Sequence, residues 1–236
     1  MPLNGPPERR KSVQMASLDQ GALVNVYGKR ARNYDSYARL FPLVGFRQWD
    51  YRMKSVQALE LQRGDTVVDI GCGTGLNFSL LEKAIGPQGT LIGADLTDAM
   101  LAQAQKRVEE SGWSNVKLVQ SDAAVFQFPR GVDGILSTYA ITLVPEFDRV
   151  IRNGCQALKP GKRWAITDFK MPSGSLSFLS PLLAQLLVRP FGGTLEMASR
   201  HPWESIDKYM QNTRMTEFYL GAVYVMVGGR GEAGCG

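Results

Sequence analysis

The chain has 236 residues, 44% hydrophobic and 21% charged, which suits one domain with a sizeable core and excludes a disordered or fibrous chain. Its three cysteines, Cys72, Cys155 and Cys235, are far apart and odd in number; they suggest neither a disulfide framework nor a zinc-ligand spacing, and so point to a reducing, cytoplasmic setting. The net charge of +5 is concentrated in residues 1–63, where 11 Lys or Arg face 5 acids, giving +6 there and −1 elsewhere.

Residues 1–18 are rich in Pro, Gly and charge and read as a mobile tail, without the apolar segment of a secretory signal. Residues 18–61 have a mostly helical pattern, broken near Phe41-Pro42. Phe46, Trp49, Met53, Val56 and Leu59 recur at three and four along one helix face. A regular alternation follows. Strands are expected at Thr66–Ile70, Thr90–Asp95, Val116–Gln120, 132–137 and 163–169. Helices are expected at 76–85, at Asp98–Ser111 with Thr97 or Asp98 as cap, and at 146–158, ended by Lys159-Pro160-Gly161. Strands alternating with helices indicate parallel βαβ units and a doubly wound sheet.

The C-terminal part differs. Ser180-Pro181 reads as a helix cap, and Leu179, Leu182, Leu183, Leu186 and Leu187 as one apolar stripe; the longest greasy stretch, 176–188, is too short to span a bilayer. A helix at 204–210 and an antiparallel hairpin of 215–219 with 223–227 are expected, then a flexible tail from 229 to 236.

After the first strand come Gly71, Cys72, Gly73, Thr74 and Gly75. Glycines at every second position permit a sharp turn or close approach to a ligand, and the following helix would present unpaired amides. The spacing is not the G-x-G-x-x-G of dinucleotide sites, nor a phosphate-binding P-loop. Asp95 ends the second strand, where a carboxylate accepts bonds from ribose hydroxyls. Asp122, followed by Ala123, is placed to take the exocyclic amine of an adenine, with Leu96 and Met100 packing on its faces. The ligand therefore has a ribose and no pyrophosphate. Asp69 either reaches the ligand's amino group or satisfies loop amides. His201 is the single histidine and reads as structural; no metal site is expected.

D-x-G-x-G-x-G, an acid ending strand two and an aspartate after strand three together resemble the class I S-adenosylmethionine-dependent methyltransferases, as does LKPGKRWAITDF at 158–169. Within that group the chain is most similar to the ubiquinone/menaquinone biosynthesis C-methyltransferases. VYGKRARNYDSYARL (26–40), with its Tyr34-Asp35 pair, ADLTDAML (94–101) and TDFKMP (167–172) carry the likeness, and phospholipid and betaine-lipid N-methyltransferases are close relatives of the group. The chain departs where that family has F-G-x-R-N after strand four, here Ser137-Thr138-Tyr139-Ala140-Ile141. It also lacks the family's near-terminal histidine, having 225–229 there.

The resemblance implies a seven-stranded, mostly parallel, Rossmann-like α/β sheet with an antiparallel C-terminal hairpin strand, forming one domain over 19–228. Residues 19–62 and 172–212 would be lid segments. It implies S-adenosylmethionine as cofactor, held by Asp69, Gly71, Cys72, Gly73, Thr74, Gly75, Asp95, Leu96, Met100, Asp122, Ala123 and Ser137. Tyr34 and Tyr139 are its candidate catalytic aromatics, with Tyr27 nearby, since aromatic faces favour a sulfonium cation. The acceptor is expected to be small or lipid-like: an amine of phospholipid type, because no His or Lys stands out as a base, or alternatively a polyprenyl quinone ring carbon. Donor binding without catalysis is the non-enzyme alternative. The +6 segment suits peripheral contact with an anionic membrane; lacking zinc-finger spacing or an RNA-binding aromatic signature, it does not suit nucleic acid.

Overall fold

The computed structural model describes residues 20–171 and 199–235. The tail 1–18, the Ser180-Pro181 cap, the leucine stripe and most of 172–212 fall outside the described residues.

The central strands β1, β2 and β4 form where the sequence places a short apolar run between turn residues. The strands are β1 (Thr66–Ile70), β2 (Thr90–Asp95), β3 (Val116–Gln120), β4 (Val132–Thr138), β5 (Leu158–Phe169), β6 (Gln211–Phe218) and β7 (Val223–Gly229). They make one sheet in the order β3-β2-β1-β4-β5-β7-β6. β1 to β5 run parallel; β7 is antiparallel to both β5 and β6. The expected seven-stranded, mostly parallel sheet is therefore present.

The helices are α1 (Gln20–Arg30), α2 (Tyr34–Leu40), α3 (Gln48–Ala58), α4 (Phe78–Ile85), α5 (Asp98–Ser111), α6 (Phe147–Ala157) and α7 (Pro202–Tyr209). They cover both sheet faces. Val67, Leu91 and Leu136 pack with Val56 of α3, Leu81 of α4 and Ala104 of α5. Val68, Ile70, Ile135 and Ile166 pack with Ile151 of α6 and Ile206 of α7. Successive strand residues thus enter opposite layers, the period of two that a pleated strand imposes. Burial on both faces explains why β1, β2, β4 and β7 read as near-continuous apolar runs, while the outer strands β3 and β6 stay partly polar.

Two expectations are corrected. Lys159-Pro160-Gly161 does not separate helix from strand: β5 begins at Leu158. The triplet lies within a register shift, Val132 pairing with Leu158 and Gly134 with Arg163. Gly161, at φ +76°, donates to the Arg230 carbonyl. Nor are all three cysteines unpaired: Cys72 is free and buried, but the other two are joined. Cys155 of α6 is disulfide-bonded to Cys235, 80 residues away, with Cα atoms 6.1 Å apart. Spacing along the chain could not show this, because the antiparallel return of β7 is what carries residue 235 back to α6. The argument for a reducing compartment loses its basis. The tail expected to be flexible is held through residue 235, where Arg230 also donates to the carbonyls of Gln156 and Leu158. No helix of the described residues is long and apolar enough to cross a membrane.

Candidate active site

The chain steps from β1 outward to β2 and β3, then returns to the other side of β1 as β4. At such a reversal the loops leaving the strand ends diverge and open a crevice. The loops after β1 and β4 form it here. Gly71 and Gly73 hold φ +68° and +56°, where a side chain is strained. A Cβ on Gly71 would stand 2.3 Å from the Ala140 Cβ, so glycine is also what lets the two loops meet.

Four of the glycine-loop amides already have partners within the protein. Gly71 and Cys72 both donate to the Ala94 carbonyl, at 2.8 and 3.0 Å, and Gly75 donates to that of Cys72. Gly73 donates to Asp95 Oδ2 at 2.8 Å, and the Thr97 amide to Asp95 Oδ1 at 2.9 Å. The loop is therefore prefolded onto β2, and a ligand meets glycine backbone rather than orphan donors. A carboxylate has about four acceptor positions, so Asp95 keeps capacity for hydroxyls. Burial raises its pKa, opposed by those amide bonds.

A pocket enclosing about 1020 Å³, mouth included, opens over these loops. Its walls include the expected Gly71, Cys72, Gly73, Thr74, Asp95 and Leu96. They also include Met100, Asp122, Ala123, Tyr34 and Tyr139, and Tyr27 from α1. Three expected residues are not among the walls. Gly75 takes φ +77°, and a Cβ there would strike the Phe78 ring at 2.7 Å; it serves the turn into α4. Ser137 is fully buried, and the next residue, Thr138, lines the pocket instead. Alternation along β4 decides which of the two faces the crevice. Asp69 is also fully buried behind Asn77, and both its oxygens accept from Asn77 Nδ2, at 3.1 and 2.9 Å. It satisfies a side-chain amide, not loop amides. Desolvation raises its pKa to about 7, with the Asn77 bond and then Arg52 opposing.

Arg52 was not anticipated. It comes from α3, is 4% exposed and lines the pocket. Its Nη1 donates to Asn77 Oδ1 at 2.8 Å and Thr138 Oγ1 at 2.5 Å, and its guanidinium carbon lies 5.1 Å from the Tyr139 ring centre. The expected apolar face does not point to it: α3 buries Tyr51, Arg52, Ser55 and Val56, while Trp49 and Met53 of that face are exposed. Tyr139 holds φ 57°, unusual for an aromatic residue, and its buried hydroxyl has no partner among the described residues. Burial pushes its pKa upward despite the nearby Arg52. Phe46 packs on Tyr139 and on Phe169, with ring centres 6.0 and 5.7 Å apart, closing one side with aromatic surface. His201 stands apart from the pocket walls, stacked on Trp203 at 4.6 Å with Nδ1 2.9 Å from Glu204.

These residues fit S-adenosylmethionine. Asp95 offers a carboxylate acceptor for ribose hydroxyls, Leu96 and Met100 offer apolar surface, and Asp122 is an acceptor one strand further out. Asp122 Oδ1 already receives the Ala124 amide at 2.9 Å, which fixes its rotamer.

The sequence pattern of the ubiE/COQ5 methyltransferase family matches residues 15–218. The chain is 29% identical over 140 residues to a demethylmenaquinone methyltransferase of Listeria welshimeri, covering 58% of this chain and 59% of that protein. It is 24% identical over 215 residues to one of Geobacillus kaustophilus, covering 86% and 88%. The chain thus spans about three fifths of the length of the first of these relatives. Among solved structures, a SAM dependent methyltransferase from Aquifex aeolicus shares the fold, with TM-score 0.60 and 19% identity, covering 85% of this chain and 97% of that one.

Proposed function

This chain belongs to the ubiE/COQ5 methyltransferase family, and from that premise we propose that it transfers a methyl group from S-adenosylmethionine to a small or lipid-like acceptor. The observation that carries the reading is the pocket at the β1/β4 reversal, where the prefolded glycine loop, Asp95 and Asp122 line one side and Tyr34, Tyr139 and Arg52 the other. When bound, the cofactor supplies an electrophilic methyl already activated by positive sulfur. In the transfer the sulfur–methyl bond breaks as the acceptor–methyl bond forms. The protein's part is alignment and exclusion of water. Asp95 orients the ribose, Leu96 and Met100 flank the adenine, and the faces of Tyr34 and Tyr139 favour the cation. The described N-terminal residues, 20–62, serve as a lid piece.

Two acceptors are supported by different observations. The names of the relatives favour C-methylation of a polyprenyl quinone ring. The chemistry of the walls favours an amine: they carry Asp, Thr, Tyr and Arg, without His or Lys among the described wall residues, and a neutral amine needs no base. The basic, partly apolar N-terminal helices suit an amphiphile approached from an anionic membrane surface. Release of S-adenosylhomocysteine would be measured against quinols, phospholipid amines and soluble amines. Turnover on one class assigns the acceptor. No turnover on any, with donor binding intact, would favour the binding-protein alternative.

A further inference from the structure

Arg52 is a buried cation with no carboxylate at ion-pair distance among the described residues. Its named bonds go to the neutral oxygens of Asn77 and Thr138, and its Nε is buried without a partner. A guanidinium has five N–H donors, and one left without an anion in a buried site is unfavourable unless something completes it. Asp69 does not complete it, because Asn77 stands between them, giving its amide nitrogen to Asp69 and its carbonyl to Arg52. Asn77 occupies the N-cap position of α4 yet makes no cap bond with its side chain. An asparagine there would ordinarily cap the helix. Here its side chain holds the two charges apart.

The sheet order indicates what the cation faces. Crossing the strand ends from β3 through β2 and β1 to β4, the pocket presents Asp122, then Asp95, then the glycine loop, then Thr138 with Arg52. Adenine and ribose belong to the first two positions, so the methionine end of the donor extends toward the last. Resting on the S-adenosylmethionine reading above, we propose that Arg52 binds the α-carboxylate of the donor's methionine end, and that Asn77 keeps the guanidinium free for it by shielding Asp69. No bond is made or broken in this role.

The test uses two ligands that differ at that end. S-adenosylhomocysteine carries the carboxylate; 5′-methylthioadenosine lacks it and keeps the adenine and ribose. Calorimetric titration of the full chain and of Arg52→Gln should show S-adenosylhomocysteine affinity falling about 10- to 100-fold, as for a lost charged hydrogen bond. Affinity for 5′-methylthioadenosine should stay within about threefold. Arg52→Lys should fall between, because it keeps the charge without the planar fork, and it serves as the deciding variant if Arg52→Gln does not fold. Equal losses for both ligands would make Arg52 a scaffold residue. Unchanged S-adenosylhomocysteine affinity would place it on the acceptor side. Either result overturns the assignment. Failure of the unaltered protein to bind either ligand would instead overturn the donor reading itself.

Discussion

Thr74, in the glycine loop, donates a 2.6 Å hydrogen bond to Asp35 on α2. Arg107 of α5 joins the same pair, donating from Nε to the Thr74 carbonyl at 2.9 Å and ion-pairing with Asp35. The Tyr34-Asp35 pair is thereby divided in function. Tyr34 faces the pocket, while Asp35 fastens the N-terminal helices to the donor loop.

Asp35→Ala should loosen α2 without unfolding the sheet. The ion pair is about one third exposed on each side, so its contribution to stability is about 1 kcal/mol or less. Hydrogen exchange should quicken across residues 20–45, and donor affinity should drop severalfold. If exchange and affinity both match the parent, Asp35 does not fasten these helices.

Asp95→Ala removes the acceptor for ribose hydroxyls and also that of the Gly73 and Thr97 amides. Donor binding should weaken by roughly 1–3 kcal/mol. Asp95→Asn, which keeps an acceptor for one of those amides, should lose less. Unchanged affinity in a folded Asp95→Ala protein would refute the ribose assignment.

Gly73→Ala separates binding from folding. Nothing lies within 4 Å of the position a Cβ would take, yet Gly73 lines the pocket and holds φ +56°. The left-handed conformation costs alanine about 1 kcal/mol, worth a few degrees in Tm. Donor binding should be abolished, because the methyl enters the ligand's space. Loss of the fold, seen by circular dichroism, would mean the glycine serves only the turn.

Asp69 should make stability depend on pH. An unfolded aspartate titrates near 3.9, and this one near 7 in the folded protein. Its folded pKa is the higher, so its contribution is full below about 4 and is lost as pH rises to about 7. Between those values the unfolded chain releases a proton that the folded protein keeps. The stability of the parent relative to Asp69→Asn should therefore decline from pH 5 to 7 and level off above. Urea unfolding at pH 5, 6, 7 and 8 measures it; parallel curves for the two proteins would contradict the assigned shift.

The N-terminal helices should draw the protein to anionic bilayers. Leu43 is 83% exposed and Trp49 47%, and Arg32 and Arg47 of the same N-terminal segment are exposed too. Each basic residue near the surface contributes about 1 kcal/mol, weakened by salt. Co-sedimentation with anionic vesicles at low salt should exceed that with neutral ones. It should fall when Arg30, Arg32, Arg39 and Arg47 are all changed to Gln. Equal partitioning of both proteins would remove the lipid-surface argument and favour a soluble acceptor.

The strands and the glycine loop were legible because they rest on local rules. Two-residue periodicity, turn residues and positive φ act within a few positions, so β1, β2 and β3 fall where the sequence placed them. Asp95 was readable for the same reason, as an acid at a strand end. The structure changed the assignments at positions where one residue's shift reverses the facing direction. Thr138 rather than Ser137 lines the pocket, and Gly75 serves the packing of Phe78.

By itself, then, the sequence determined the doubly wound α/β class and pointed to the strand ends as the place for a ligand. Only the tertiary structure decided which distant residues meet. It brought Arg52 from α3 to Asn77 and Thr138, set Asp69 behind Asn77, and carried Cys235 to Cys155. The physical reason is that burial and long-range pairing depend on how the helices pack across the sheet, and residues 25 or 80 positions apart leave no periodic trace of that packing.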